Sequence, residues 1–278
     1  MQHSESTVEH RAHMPEGTQR ILNARSLQTA HRRLATLLRP GLKVLDLGCG
    51  TGAITRDIAA AVTPHGQVVG VDVNVALIEE ARRVHRAVSG LAFEVCDVYT
   101  LSFRASFDLV SVARVLQWLA HPLDALRMLV AATKPGGQLV ILDYNHEKIV
   151  WHPRLPASVQ TFYTAFLRWR AEAGMDNAVA DHLAAMCAQV GLVDIVATLQ
   201  PEVTQRTDPD FSVRAGLWAE VAATRGHQMV SDGVITESQR AAAEMEYRAW
   251  IHDHATSQCL YLIAVEGTRP QQASPHRG

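Results

Sequence analysis

Three glycines separated by single residues, Gly48-Cys49-Gly50-Thr51-Gly52, follow directly on Val44-Leu45-Asp46-Leu47. Glycine has no Cβ and can take positive φ, so such a turn lets the main chain come very close to a ligand. A helical pattern starts at once, Ala53-Ile54-Thr55-Arg56-Asp57-Ile58-Ala59-Ala60, which would put the ligand against free amides at a helix N-terminus. Asp46 stands two residues before the first glycine. A carboxylate there would repel a pyrophosphate and attract a cation, such as the α-ammonium of an amino acid. The Gly-x-Gly-x-Gly spacing also departs from the Gly-x-Gly-x-x-Gly of dinucleotide enzymes.

The elements that must position this turn alternate through the first half of the chain. Short apolar runs at 43–47, 67–73, 91–96, 107–113 and 138–144 read as strands. Helical patterns at 51–62, 75–89 and 122–133 lie between them, ended by Pro64-His65-Gly66, Gly90 and Lys134-Pro135-Gly136-Gly137. Buried strands alternating with helices of this length predict an α/β fold with a doubly wound, mostly parallel sheet. Ligands of such sheets sit at the carboxyl ends of the strands, near a switch in strand order. The pattern then changes. Residues 145–157 read as a loop, and 158–173 as an amphipathic helix with Val159, Phe162, Tyr163, Phe166 and Leu167 on one face. Further helices are expected at 177–190, from Asp208 to about Arg225, and from Thr236 to about His254, the last opened by a Thr236/Gln239 capping box. Strands are expected at 192–198 and 259–265.

Composition narrows the partners. The chain has 278 residues, 47% hydrophobic and 19% charged, enough for one large domain with a sizeable core. A formal net charge of -2 without a basic block weighs against nucleic acid. None of the four cysteines, Cys49, Cys96, Cys187 and Cys259, forms a C-x-x-C pair, which fits a reducing cytoplasm. The 14 histidines contain no H-x-x-x-H or H-E-x-x-H cluster, so no metal is expected. Residues 1–17 lack the apolar core of a signal peptide, and no run approaches the roughly 18 apolar residues that would span a membrane. Residues 1–17 and 268–278 are expected to be loose tails.

The glycine turn and four later stretches, taken in order, resemble the class I S-adenosylmethionine-dependent methyltransferases, most nearly the ubiquinone-biosynthesis-like small-molecule type. Those stretches are Val69-Gly70-Val71-Asp72, Cys96-Asp97-Val98, Phe107-Asp108-Leu109-Val110-Ser111 with Arg114-Val115-Leu116-Gln117-Trp118, and Lys134-Pro135-Gly136-Gly137-Gln138-Leu139. The resemblance covers roughly residues 40–146, more loosely 178–200 and 258–267. It implies a seven-stranded Rossmann-like sheet with S-adenosyl-L-methionine as cofactor. Asp46, Gly48, Gly50 and Thr51 would meet its methionine part. Asp72 would hold the ribose, Val73 the adenine face, and Asp97 and Val98 the adenine edge. Arg114 and Gln117 would line the methyl-donor side.

The resemblance also implies a helical cap, drawn here from residues 18–39, 150–176 and 207–256, including an N-terminal helix over 21–38. A closed aromatic pocket suits an apolar or heteroaromatic small molecule and excludes water. Trp118, Trp151, Phe162, Phe166 and Trp218 are its wall candidates, and Tyr144 or His146, after the fifth strand, could act as general base. Arg154, Arg168 and Arg170 could bind a substrate carboxylate or face solvent. A small-molecule acceptor is thus the expected partner, with carbon, nitrogen and oxygen all open as the methylated atom. Nucleic acid and membrane are not expected, and a homodimer is compatible with the chain. Three readings compete: a methyltransferase of RNA or protein, a nicotinamide-dependent oxidoreductase, and a cofactor-binding protein without catalysis. The acidic balance opposes the first, the glycine spacing and Asp46 the second, and the intact motifs the third.

Overall fold

Strand β1 (Lys43–Leu47) is buried from Val44 onward, because it is flanked by strands on both edges and by helices on both faces. Its side chains divide between those faces with the period-two alternation of a strand. Val44 packs with Ile58, Ala59 and Val62, whereas Leu45 and Leu47 pack with Leu126, Leu129 and Leu183. The computed structural model describes residues 10–12, 14–15 and 22–271.

The remaining elements of the sheet layer follow in chain order: α1 (Leu27–Ala30), α2 (Arg32–Leu37), then, after β1, α3 (Ala53–Val62), β2 (Gln67–Asp72), α4 (Val75–Val84), β3 (Leu91–Val95), β4 (Phe107–Ala113), α5 (Pro122–Ala132) and β5 (Thr133–Tyr144). Next come β6 (Val150–His152), α6 (Ala157–Glu172), α7 (Val179–Gln189), β7 (Val193–Leu199) and β8 (Glu202–Gln205). Four helices, α8 (Phe211–Ala215), α9 (Leu217–Ala223), α10 (Arg225–Ser231) and α11 (Glu237–Asp253), precede β9 (Ser257–Leu260) and β10 (Leu262–Thr268).

Seven strands form the main sheet in the order β3-β2-β1-β4-β5-β10-β7. β1 to β5 are mutually parallel, and β10 runs antiparallel to both its neighbours. The order therefore reverses between β1 and β4, and the carboxyl ends of these two strands open the crevice in which such sheets bind ligands. This is the mostly parallel, doubly wound sheet that the sequence predicts.

The structure departs from the sequence reading in four places, three of them in the second half. Residues 145–157, read as a loop, contain β6, and β8 was not foreseen; with β9 they make a separate antiparallel sheet in the order β6-β9-β8. The single last strand expected over 259–265 is two strands, broken at Tyr261, whose carbonyl accepts from the Asn145 amide at 2.9 Å. The helix expected from Asp208 to Arg225 is interrupted at Gly216 and Thr224, giving α8, α9 and the start of α10. The N-terminal helix expected over 21–38 is interrupted at His31 (φ -146°, ψ 58°), and Ile21 and the expected tails, save residues 10–12, 14–15 and 268–271, lie outside the described residues. The Thr236/Gln239 capping box is formed as expected.

Helices α6, α9 and α11 pack on one another through Phe162, Phe166, Trp169, Trp218, Tyr247 and Trp250, a core of their own beside β9 and the end of β5. Among the described residues no helix is long and apolar enough to cross a membrane.

The tightness of the first turn is measurable. Gly52 has φ +77°, and a Cβ there would lie 2.5 Å from Cζ of Phe93, whereas Gly191 has φ +84° with nothing within 4 Å. Both alanine variants carry the left-handed strain of about 1–2 kcal/mol, but Gly52→Ala adds an overpacking cost of about 1–3 kcal/mol. Urea denaturation should rank Gly52→Ala clearly below Gly191→Ala; equal losses would mean that Phe93 yields freely.

Candidate active site

The glycine turn folds back on the end of β2, with the amides of Gly48 and Cys49 donating to the Val71 carbonyl at 2.7 and 3.1 Å. Gly48 has φ +70°, and a Cβ there would lie 2.2 Å from Cγ2 of Val115. Only glycine lets the loop after β1 meet the loop after β4 this closely. Beneath the turn, the buried Asp46 carboxylate accepts from the Thr55 hydroxyl at 2.7 Å. Burial pushes its pKa up to about 6, against the hydroxyls of Thr55 and Ser111 and with help from Asp72. A carboxylate held in this way gains most from a cation brought to it.

Asp46 and Gly48 line a cavity of about 40 Å³ with Arg25, Thr51, Ile54 and Arg114. Leu22 and Arg25, from the segment before α1, form part of its wall, and the Thr51 hydroxyl is 2.6 Å from Oδ1 of Asn23. Arg114, at the end of β4, is buried with φ +61°. Its Nε donates to the Tyr144 hydroxyl at 3.0 Å, and its Nη2 donates to the Ala30 carbonyl at 2.7 Å and to Glu202. Its Nη1 has no partner among the described residues. Burial pushes the Arg114 pKa down, but Glu202 and Tyr144 more than offset this and hold it above its usual range. Arg25 is lowered by burial and by Arg114, with Tyr144 and Glu202 opposing. One carboxylate and two guanidiniums around one cavity match the ammonium and carboxylate of an amino acid. The methionine part of S-adenosylmethionine fits this donor set.

Asp72 and Asp97 follow along the same edge of the sheet. The Asp72 carboxylate accepts from the amides of Gly50 and Asn74, both at 2.9 Å, and so ties the turn to the start of α4. Burial raises its pKa while these amides lower it. Val73 is exposed and Val98 buried. Asp97 is exposed and accepts from the Tyr99 amide at 2.9 Å, capping the single turn Val98–Thr100.

Gln117 joins this side to the aromatic side. Its Nε2 donates to the Arg114 carbonyl at 3.3 Å, which turns Oε1 toward His146, whose Nε2 lies 2.6 Å away. His146 Nε2 must then carry the ring proton, because Oε1 can only accept. The bare Nδ1 is buried without a partner among the described residues. Burial, with Arg170 nearby, pushes the His146 pKa well below its ordinary value, so the ring is neutral. Tyr144 stacks on it at 5.3 Å between centroids, and Phe166 and Trp218 meet it edge-on at 6.0 and 6.1 Å. Asp143 fixes the junction by accepting from the amides of Tyr144 and Gln117 at 2.9 and 3.1 Å. Burial raises its pKa to about 6 despite those amides.

Of the wall candidates, Trp118, Trp151, Phe166 and Trp218 belong to this ring cluster, joined by Tyr163, which lies 4.7 Å from Trp218. Phe162 points elsewhere in the core, toward Gly226. Sequence reasoning missed Arg25, Ser111, Asp143 and Glu202. Arg25 and Glu202 are far apart in the chain and carry no motif. Asp143 lay within the strand-end stretch that drew attention to Tyr144 and His146. The three arginines considered for an anion separate cleanly: Arg154 and Arg168 are exposed, whereas Arg170 is fully buried. The spacing Phe162, Phe166, Arg170 already places the last on the apolar face of α6.

Comparison with known proteins agrees with this geometry. The family described as "Methyltransferase domain" matches residues 38–190, more than half of the chain. A ubiquinone/menaquinone biosynthesis C-methyltransferase of Ectopseudomonas mendocina is 38% identical over 112 residues, 39% of this chain and 44% of that protein. An uncharacterized 37.1 kDa transposon protein of Streptomyces fradiae is 39% identical over 122 residues, 43% of this chain and 35% of that protein. The chain thus spans less than half the length of these curated relatives. Among solved structures, phosphoethanolamine N-methyltransferase 2 of Haemonchus contortus, bound to phosphomonomethylethanolamine and S-adenosylhomocysteine, shares the fold with TM-score 0.54 at 20% identity, covering 86% of this chain and 52% of that one. The YcgJ protein of Bacillus subtilis does so with TM-score 0.55 at 17% identity, covering 87% and 100%. With its glycine turn, Asp46 and strand order, the chain belongs to the class I S-adenosylmethionine-dependent methyltransferases.

Proposed function

We propose that the protein methylates a small, apolar or heteroaromatic acceptor bound among Trp118, Phe166, Trp218 and His146, with His146 as general base. The observation that carries this reading is the Gln117 amide, which hydrogen-bonds the Arg114 carbonyl on the cofactor side and the His146 ring on the aromatic side. Bound against the glycine turn, S-adenosylmethionine supplies an electrophilic methyl group on a sulfonium. Asp46 would hold its ammonium, Arg25 and Arg114 its carboxylate, Asp72 the ribose, and Asp97 with Val98 the adenine edge. The aromatic rings exclude water and fix a planar acceptor in line. His146 Nδ1 accepts the proton that the acceptor loses, while Nε2–H stays on Gln117. Tyr144 orients rather than deprotonates: its hydroxyl is engaged by Arg114, and burial raises its pKa.

Calorimetry should detect S-adenosylmethionine and S-adenosylhomocysteine but not NAD, and a metabolite extract incubated with protein and cofactor should yield a product heavier by one methyl in place of one hydrogen. Binding of NAD in place of the sulfonium cofactor would overturn the reading. Asp46→Asn should weaken S-adenosylhomocysteine by about 1–3 kcal/mol through loss of the charged partner. Its pH profile is equally diagnostic. The ionised carboxylate binds the ammonium, so the wild-type Kd should rise as pH falls through about 6, and Asp46→Asn should flatten that rise. An unchanged profile would remove Asp46 from the ammonium site.

The proton on His146 can be read without an acceptor. Nitrogen-15 NMR should find Nε2 protonated and Nδ1 bare at pH 7, with the ring still neutral at pH 5.5, because its pKa is depressed. An Nδ1–H tautomer or an imidazolium at that pH would exclude the base assignment. His146→Asn should lower turnover by about 10²–10⁴-fold while S-adenosylhomocysteine affinity is kept.

A further inference from the structure

Arg170 is fully buried near the end of α6 and forms no ion pair among the described residues. Its Nε donates to Oδ1 of Asn177 and its Nη2 to the Gln117 carbonyl, both at 2.8 Å. Nη1 has no partner among the described residues. The guanidinium lies 4.4 Å from the Trp118 ring centroid and 5.5 Å from that of Phe166. A second buried guanidinium, Arg225, lies 3.8 Å from the same Trp118 ring. The nearby acid, Asp143, already accepts two main-chain amides. Arg170 therefore keeps one buried N–H without an acceptor among the described residues, a costly state unless a ligand oxygen completes it. Phe166 touches Trp118, Arg170 and His146 alike. Phe166 thus links the Arg170 guanidinium to the His146 ring.

We propose that Arg170 Nη1, beside Trp118, is an anion subsite for the acceptor, and that the molecule methylated is a planar carboxylate. This rests on the reading of the aromatic cluster as the acceptor site. A purely structural Arg170 would use Nε and Nη2 to tie α6 to the loops at Gln117 and Asn177, and would have no use for Nη1. The guanidinium is suited to a carboxylate by its fixed fork of donors.

The test titrates protein saturated with S-adenosylhomocysteine with matched acids and amides: salicylate and salicylamide, anthranilate and anthranilamide, indole-3-acetate and indole-3-acetamide. At least one acid should bind about tenfold or more tighter than its amide. Arg170→Met should abolish that preference with S-adenosylhomocysteine affinity and Tm retained. Where that variant does not fold, Arg170→Lys, which keeps the charge and loses the fork, should cut the preference by at least about threefold. The proposal is overturned if no acid is preferred in the wild type, including the case where none binds, or if the preference survives in the folded variant. A protein that fails to bind S-adenosylhomocysteine overturns the cofactor reading instead, and the same titrations on the protein alone still decide the subsite.

Discussion

The ligand side of this fold depends on how closely the loop after β1 approaches the loop after β4. Two parallel strands that leave the sheet in opposite topological directions open a crevice, and its width is set by what stands at the first residue of each loop. Here Gly48 faces Val115, at a distance that admits no Cβ. The contact fixes where Asp46 lies below and where Arg114 lies beside. It also brings the loop after β4 near enough for Gln117 to reach His146 after β5. A wider turn would still leave a sheet, but the acid, the guanidinium and the imidazole would no longer share one rim.

A second constraint is electrostatic. The rim buries carboxylates at Asp46 and Asp143, both raised to about 6, beside guanidiniums at Arg114 and Arg170 that each hold a nitrogen with no partner among the described residues. Such charges are expensive in a protein interior and are held only by over-determined surroundings. Main-chain amides hold Asp143, hydroxyls hold Asp46, and Glu202 with Tyr144 holds Arg114. Arg114 and Arg170 each keep one buried nitrogen without a partner among the described residues. The rim is thus held by the protein's own amides, hydroxyls and charges, as electrostatic preorganisation requires.

The first half of the molecule was legible because its signals are local. Leu45 to Gly52 carry strand, turn and helix start in one reading, and β4 has the predicted bounds, Phe107–Ala113. The second half was less so because its decisions are tertiary. Nothing in Gln258 to Leu262 marks the break at Tyr261; the apolar run simply changes sheets. β8 is four mixed residues, Glu202-Val203-Thr204-Gln205, that become a strand only beside β9. Gly216, inside the helix read from Asp208 to about Arg225, is where that helix breaks. Asp46, Arg114, Gln117 and His146 could be named from position in the chain. Arg25 and Glu202 could not, since they reach the rim from segments with no pattern of their own.

The route of the chain from β7 to β10 has a modular consequence. These strands pair directly, Leu199 opposite Ile263, and the Gln200 amide donates to the Leu262 carbonyl at 2.9 Å. Everything between, four helices and two strands, therefore leaves and rejoins the sheet through a neck one hydrogen bond wide. Length changes inside this excursion leave the pairing of β7 with β10 in register as long as β9 keeps its place beside β6. Glu202 stitches the excursion to the rim: it lends one carboxylate to Arg114, so any replacement of the excursion must also keep that charge.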